Sequence, residues 1–369
     1  MIYVDNAATT RRKPINVYKS MFSHALLSGN AGRGANKLSL KGINSIVTAQ
    51  DTVAQLFNVK NPENIIFTQN ATYALNMAIH GIMKKGSHMV VTEMDHNSVL
   101  RPAKLYDNFS VAKADSNGYV SPLSLRQQIK STTALVVCTH VSNVCGAIEP
   151  VKEIARIAHR NGALFLLDAS QSGGILDVDM EDIDADLIAC AGHKGLMGPM
   201  GTGILCIKDP DRVKAIIVGG TGSQSESLTQ PEAMPEKFHS GTVNTPAIAG
   251  LTEGVKFILK ETTSTISAHE NFLNTTLRNE LKNMKNVILY GKGETGITSF
   301  NIEGYGSDEI ADMLGKNIIT RAGYHCAPLA HRALGTQDIG SVRISFGYFN
   351  TISEAKKVID AIYKISKKV

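Results

Sequence analysis

The sequence predicts an α/β protein built on a mostly parallel central sheet, with a smaller α+β unit after it. Three observations lead there. Short apolar runs recur: NIIFT (64–68), HMVVTE (88–93), ALVVCTH (134–140), ALFLLDAS (163–170), LIACAG (187–192) and GILCI (203–207). Several are too short for helices and rich in Val and Ile, as buried strands are. Helical patterns lie between them, and strands alternating with helices make a largely parallel sheet. After Thr245-Pro246 the texture changes to long amphipathic runs followed by a second group of strands.

Taken in order, NIIFT is followed by the turn TQNAT and the helical YALNMAIHGIM. VKEIARIAHRNG is the clearest helix. Val151, Ile154, Ala155 and Ala158 fall at i, i+3, i+4 and i+7, and Gly162 stops it. Beyond residue 246, IAGLTEGVKFILKET and TSTISAHENFLNTTLRNELKNM read as long helices. VILYG, GITSFNIEG and VRISFGYFN read as strands, and SEAKKVIDAIYKISKK as a closing helix. The expected organisation is an N-terminal segment (1–14) packing with the small domain, a large domain (15–246) and a small C-terminal domain (247–369).

The chain has 369 residues, 43% of them hydrophobic, which is enough for a core in each unit. Its net charge of +5 is not gathered into long basic runs, so no nucleic-acid partner is expected. The five cysteines, Cys138, Cys145, Cys190, Cys206 and Cys326, form no CxxC pair and no metal-type cluster with histidines. Their odd number and scatter suggest reduced thiols. MIYVDNAATT shows no basic and apolar leader pattern, and no apolar run reaches the 18 or so residues of a membrane span. A cytoplasmic protein with no membrane partner is the expectation.

In open α/β sheets, ligands bind at the carboxyl ends of the strands, and the residues with chemistry sit there. TQNAT, at a strand end before a helix, offers backbone N–H groups, a helix dipole and the Thr72 hydroxyl to an anion; by itself Thr72 is better read as a helix cap. His96 in EMDHNS can stack on an aromatic ring, or be a satisfied loop histidine. Asn143 in THVSNVCG can donate to a ligand oxygen, or simply make a turn. Asp168 ends a very apolar strand, where a carboxylate needs a charged or donating partner. A protonated pyridine nitrogen would serve, and Gln171 lies three residues on. In AGHKGLMGPMGTG, Lys194 lies among glycines that allow close backbone approach. Lysine becomes a useful amine only when burial or neighbours lower its pKa, and a Schiff base with a carbonyl is the usual reason. A strand ending in Asp beside a strand ending in Lys is the layout a pyridoxal phosphate enzyme needs.

With these residues in place, the chain resembles the cysteine desulfurases of the class V aminotransferase family, among the fold type I pyridoxal phosphate enzymes. The likeness runs through YVDNAATT, NAGRGANKLS, TQNATYALN, EMDHNSVLRP, THVSNVCG, DASQS, AGHKGLMGPMGTG, HSGTVNTPAIAGL, RAGYHCAP and VRISFGYFNT. The resemblance implies that Lys194 carries pyridoxal 5'-phosphate as an imine and removes the substrate's α-proton. Asp168 would pair with the pyridine nitrogen, Gln171 with the ring oxygen, and His96 would stack on the ring. Ala71, Thr72 and His193 would hold the phosphate. Asn143 and Arg343 would hold the substrate carboxylate, with Arg321 nearby. A bidentate guanidinium suits a carboxylate on its own chemistry. Thr242 in HSGTVN would reach the phosphate in a second subunit, so a homodimer is implied.

Cys326 in RAGYHCAP matches the family's nucleophile, which takes sulfur from L-cysteine as a persulfide and passes it to an acceptor protein. The short segment is similar to the branch with a compact cysteine loop, and His325 and Arg321 are placed to favour a thiolate. Cys138, Cys190 and Cys206 sit in apolar strands and read as core residues. Two departures stand out. Ala191 replaces a common serine, removing a phosphate hydroxyl for which Ser223 or Ser225 is a candidate substitute, and Asn36 replaces a common histidine. A selenocysteine lyase would use the same residues. A β-eliminating C–S lyase would not need Cys326, and neither would an aminotransferase. A cofactor-free sulfur-transfer scaffold is the non-enzyme alternative, against which Lys194 and Asp168 argue.

Overall fold

The computed structural model describes residues 1–31 and 36–368. Residues 32–35, inside NAGRGANKLS, lie outside the described residues. The strands in chain order are β1 (Ile2–Tyr3), β2 (Ile65–Thr68), β3 (His88–Thr92), β4 (Phe109–Ala112), β5 (Thr133–Thr139), β6 (Leu164–Asp168), β7 (Leu187–Ala191), β8 (Gly203–Ile207), β9 (Val287–Tyr290), β10 (Ile297–Ile302), β11 (Ile318–Ile319) and β12 (Val342–Ser345). Strands β2 to β8 form one seven-stranded sheet in the order β2-β8-β7-β6-β5-β3-β4. All neighbours in it are parallel except β8, which runs against both β2 and β7. The architecture is α/β with a mostly parallel central sheet.

Each central strand is apolar on both faces because each face is covered. Val136, Cys138, Phe165, Leu167, Ile188, Cys190, Ile204 and Cys206 enter one core, while Leu135, Val137, Leu164, Leu166, Leu187, Ala189, Leu205 and Ile207 enter the other. Alternation along a strand thus builds two layers from one apolar run. Cys138, Cys190 and Cys206 are small core residues, and burial pushes their thiols up.

A second sheet, β12-β10-β9, is antiparallel and is covered by the helices Thr263–Lys282, Ser307–Gly315 and Ile352–Ser366. The N-terminal segment pairs β1 with β11, and Val4 enters this core. The helix Thr245–Glu261 sends Ile248, Leu251, Val255 and Ile258 into the first core of the large sheet. The short strands β1, β4 and β11 are absent from the sequence reading. β1 and β11 are two residues each, and β4 is an edge strand without a continuous apolar run.

One buried acid gives the fold a pH signature. Burial pushes the Glu270 carboxyl up to about 8, although the Tyr348 backbone N–H opposes this. The folded state therefore keeps a proton that the unfolded chain releases near 4.5. The resulting stability is fully present below that pH and is lost as pH rises through about 8. Glu270→Gln is expected to lose about 2 kcal/mol less stability than the parent between about pH 6 and 8. Urea midpoints at the two pH values measure this, and equal losses would show the carboxyl ionised in the fold.

Candidate active site

Five strands end on one cleft. β2 runs into Asn70, whose side chain accepts from the Tyr73 N–H at 3.1 Å and caps the helix Ala71–Ile82. That leaves the N–H groups of the first turn and Thr72 at the cleft. Only glycine fits at Gly203 on β8, because a Cβ there would stand 2.4 Å from the Asn70 backbone. β3 leads to His96, β5 to Asn143, β6 to Asp168, and β7 through Ala191 to His193 and Lys194. All line a cavity of 180 Å³, with Ala71, Thr72, Ser98, Thr139, Ser170 and Gln171.

The electrostatics of the cleft follow from burial. Desolvation lowers the Lys194 pKa from the usual lysine range, and Asp168 opposes this. Asp168 is 3% exposed, and its Oδ1 accepts from the Ser170 N–H at 2.9 Å. Burial, then the Lys194 charge, pushes His96 down to about 4, so the ring is neutral. Its Nδ1 accepts from the Ser98 N–H at 3.0 Å, which leaves the ring proton on Nε2. Burial also pushes His193 down to about 4. Ser98 Oγ is 2.9 Å from the His96 Nδ1 and shares a hydrogen bond with Thr72 Oγ1 at 2.8 Å, tying the start of the helix Ala71–Ile82 to His96.

The N-terminal segment holds the lysine from behind. The His193 carbonyl accepts from Thr10 N at 3.1 Å, Thr9 Oγ1 at 3.2 Å and Lys13 Nζ at 3.3 Å. The Lys194 carbonyl accepts from Thr10 Oγ1 at 2.9 Å, and Gln171 Nε2 donates to the Ala7 carbonyl at 3.0 Å. Burial lowers Lys13 to about 8.

Other expected site residues lie apart from the cleft lining. Arg343, on β12, is 2% exposed. Its Nη2 pairs with Asp5 Oδ1 at 2.7 Å and its Nη1 donates to the Asn143 carbonyl at 2.8 Å. Arg321 is exposed, and its backbone pairs with that of Arg343. Cys326 is exposed at the tip of its loop, and its carbonyl accepts from Asn97 N at 2.8 Å, next to His96. His325 does not serve as a cation beside the thiol. Its ring is buried, its Nε2 donates to the Ser341 carbonyl at 3.1 Å, and burial holds its pKa well below the usual value. Thr242 lies on a separate 660 Å³ hollow with Thr221 and His239. Neither Ser223 nor Ser225 lines the cleft; Ser223 turns back on Thr221. The hydroxyl-bearing residues that do line it are Thr72, Ser98, Thr139 and Ser170. Asn36 caps the helix Lys37–Phe57, accepting from Leu38 N and Ser39 N, both at 3.0 Å.

The sequence reading missed Asp5, Asp95, Ser98 and Ser170. Asp95 is fully buried, bridges β3 and β5 by accepting from Thr92 N at 2.6 Å and Thr139 N at 2.7 Å, and is raised by burial to about 7. The available signal was a carboxylate beside a buried strand, in both MDH and YVD, which always needs a partner.

Comparison with known proteins gives the family. The family model for aminotransferase class-V matches residues 2–358. The chain belongs to that family. A probable cysteine desulfurase of Methanothermobacter thermautotrophicus is 34% identical over 99% of this chain and 94% of its own length. A probable cysteine desulfurase of Pyrococcus abyssi is 31% identical over 100% and 94%. Among solved structures, the apo cysteine desulfurase of Thermococcus onnurineus superposes with a TM-score of 0.92 at 30% identity, covering 100% of this chain and 95% of that one.

Proposed function

We propose that this protein is a pyridoxal phosphate-dependent cysteine desulfurase. It would convert L-cysteine to L-alanine and place the sulfur on Cys326 for delivery to an acceptor protein. The observation that carries the reading is one cleft holding a desolvated lysine and a buried aspartate, with an exposed cysteine on a loop bonded to the same cleft's helix. The names of the relatives support it.

The residues fit pyridoxal phosphate. Ser170 Oγ and His193 Nδ1 are buried without a hydrogen-bond partner among the described residues, and both residues line the cleft. Native interiors rarely leave such groups unmet, so the cleft is built for a polar ligand. Lys194 would bind the aldehyde carbon, Asp168 the pyridine nitrogen, Gln171 the ring oxygen and His96 a ring face. Ala71, Thr72 and His193 would hold the phosphate, with Thr242 of the partner subunit. When bound, the group supplies an electron sink for charge developing at the amino acid's α-carbon.

The chain's own residues do the rest. Lys194, more readily neutral because it is desolvated, takes the α-proton. Asn143 and Arg343 orient the substrate carboxylate. The Cys326 thiolate attacks the substrate sulfur; an S–S bond forms, the C–S bond breaks, and its electron pair leaves with carbon, which is protonated to give alanine. Incubation with L-cysteine and a reducing thiol tests this. Equal alanine and sulfide support desulfuration, whereas pyruvate with sulfide would replace it with β-elimination. A selenocysteine lyase shares these residues, and parallel rates on L-selenocysteine decide between the two.

A cytoplasmic homodimer completes the reading. The helix Ile15–Leu27 exposes Ile15, Tyr18, Phe22 and Leu26 at i, i+3, i+7 and i+11, and the helix Lys37–Phe57 exposes Leu40, Ile43 and Val47. An apolar surface of this kind asks for a cover, and a second copy would also bring Thr242 to the cleft. No helix among the described residues is long and apolar enough to cross a membrane. Phe22, 70% exposed, is the test position. Phe22→Asp is expected to sediment as a monomer at concentrations where the parent is a dimer, and an unchanged dimer would place the interface elsewhere.

A further inference from the structure

Cys326 is exposed and is not among the residues lining the cleft that holds Lys194 and Asp168. Its loop is nevertheless firmly tied. His325 and Cys326 both adopt left-handed backbone, with φ of 48° and 58°, a conformation non-glycine residues keep only when their surroundings enforce it. Ties to three other residues, Ser341, Asn97 and Asn143, hold these two. The His325 ring donates to the Ser341 carbonyl at 3.1 Å, the Asn97 N–H donates to the Cys326 carbonyl at 2.8 Å, and Asn143 Nδ2 donates to the His325 carbonyl at 2.7 Å.

These bonds differ in kind. The His325 ring is held outside the cleft. The Asn97 donor is a backbone amide in the first turn of a helix and cannot turn away. Asn143 is a side chain that lines the cleft, and its own carbonyl is pinned by Arg343 Nη1 at 2.8 Å. Its backbone stays put, and a rotation of its amide would exchange one acceptor for another. One is the His325 carbonyl; the other is whatever anion enters the cleft. A carboxylate is the better acceptor, because hydrogen bonds to charged groups are roughly twice as strong as those between neutral groups.

We propose that Asn143 is a positioning residue for the Cys326 loop, and that it couples arrival of the substrate carboxylate to release of that loop. At rest its amide ties down His325 and keeps the thiol outside. An α-amino acid in the cleft takes the amide, one of the three ties is lost, and the loop gains the freedom to carry Sγ inward. The nucleophile is thus kept from the cofactor until a substrate is present. The inference rests on the reading of the cleft as an amino-acid site.

The test uses the cofactor-loaded enzyme and L-alanine, which carries the α-carboxylate and amine but no sulfur to transfer. Binding is followed by the visible absorbance of the cofactor. Loop freedom is followed by hydrogen–deuterium exchange of the peptide containing Gly323 and Ala327, whose N–H groups bond to Ser341 and Tyr324 in the closed loop. Saturating L-alanine is expected to speed exchange of this peptide about threefold to tenfold, the loss of one neutral hydrogen bond. Asn143→Ala, and Asn143→Asp, which keeps the shape but has no donor for the carbonyl, are expected to exchange fast without ligand and to ignore it. Slow exchange in both variants, or an unchanged rate in the parent while absorbance shows L-alanine bound, would overturn the coupling. No absorbance response to L-alanine or L-cysteine would overturn the amino-acid reading itself, and the proposal with it.

Discussion

Lys194→Ala is expected to stop alanine formation from L-cysteine and to leave pyridoxal phosphate only weakly bound. Two roles are lost at once. As the amine nearest Asp168 in the cleft, Lys194 is the candidate attachment point; as a base it contributes a factor of about 10²–10⁴ by itself. Desolvation is what makes the amine usable, since an exposed lysine stays protonated at neutral pH. The surrounding bonds argue against a merely structural lysine. Thr9, Thr10 and Lys13 all fix the peptide that bears it, and only its carbonyl, not its side chain, takes part in that clamp. The variant should therefore fold, with the same melting temperature in the absence of cofactor. The checks are alanine yield, visible absorbance before and after gel filtration, and thermal melting. Alanine formation within tenfold of the parent would move the base elsewhere, and His96, neutral and in the same cleft, would be next to examine.

The sequence exposed the site more readily than it exposed the bonds that hold the site together. Lys194, Asp168, His96 and Thr72 could be picked out because each sits where an apolar strand or a helix start meets a polar group, a local pattern in a handful of residues. The supports are not local. Asp5 meets Arg343 across 338 positions of chain, and Asn143 meets His325 across 182. No periodicity carries such information; Asp5 reaches Arg343 only because the segment after β1 lies along β12, bridged at Asp5 and Ser345, and Asn143 reaches His325 only where two loops meet. The same limit explains His325. Beside Cys326 in sequence, it reads as a cation for a thiolate, but adjacent residues in left-handed backbone point apart, and the ring is buried against Ser341 and His331. The apolar strands were legible because both faces of a covered parallel sheet demand apolar residues, whereas β1, β4 and β11 exist only by pairing with a neighbour.

Cys326→Ala decides which chemistry the cleft performs. If the thiol receives the sulfur, its loss should lower alanine formation by about 10³-fold or more, the scale of removing a nucleophile that acts with its partners as a unit. The change in cofactor absorbance on mixing with L-cysteine should persist, because Cys326 does not line the cleft that holds Lys194 and Asp168. The side chain is exposed, so truncation leaves no cavity and removes no buried contact. Stability should stay within about 0.5 kcal/mol of the parent, which separates chemical from structural loss. The other four cysteines cannot stand in, since all are buried and burial pushes each thiol away from the reactive thiolate. Mass spectrometry after one turnover should find an added sulfur on Cys326 in the parent and on no residue in the variant. If the variant still released sulfide at the parental rate together with pyruvate, the cleft would be eliminating sulfide from substrate directly. Lys194 and Asp168 would keep their places in that chemistry, and the exposed thiol would have none.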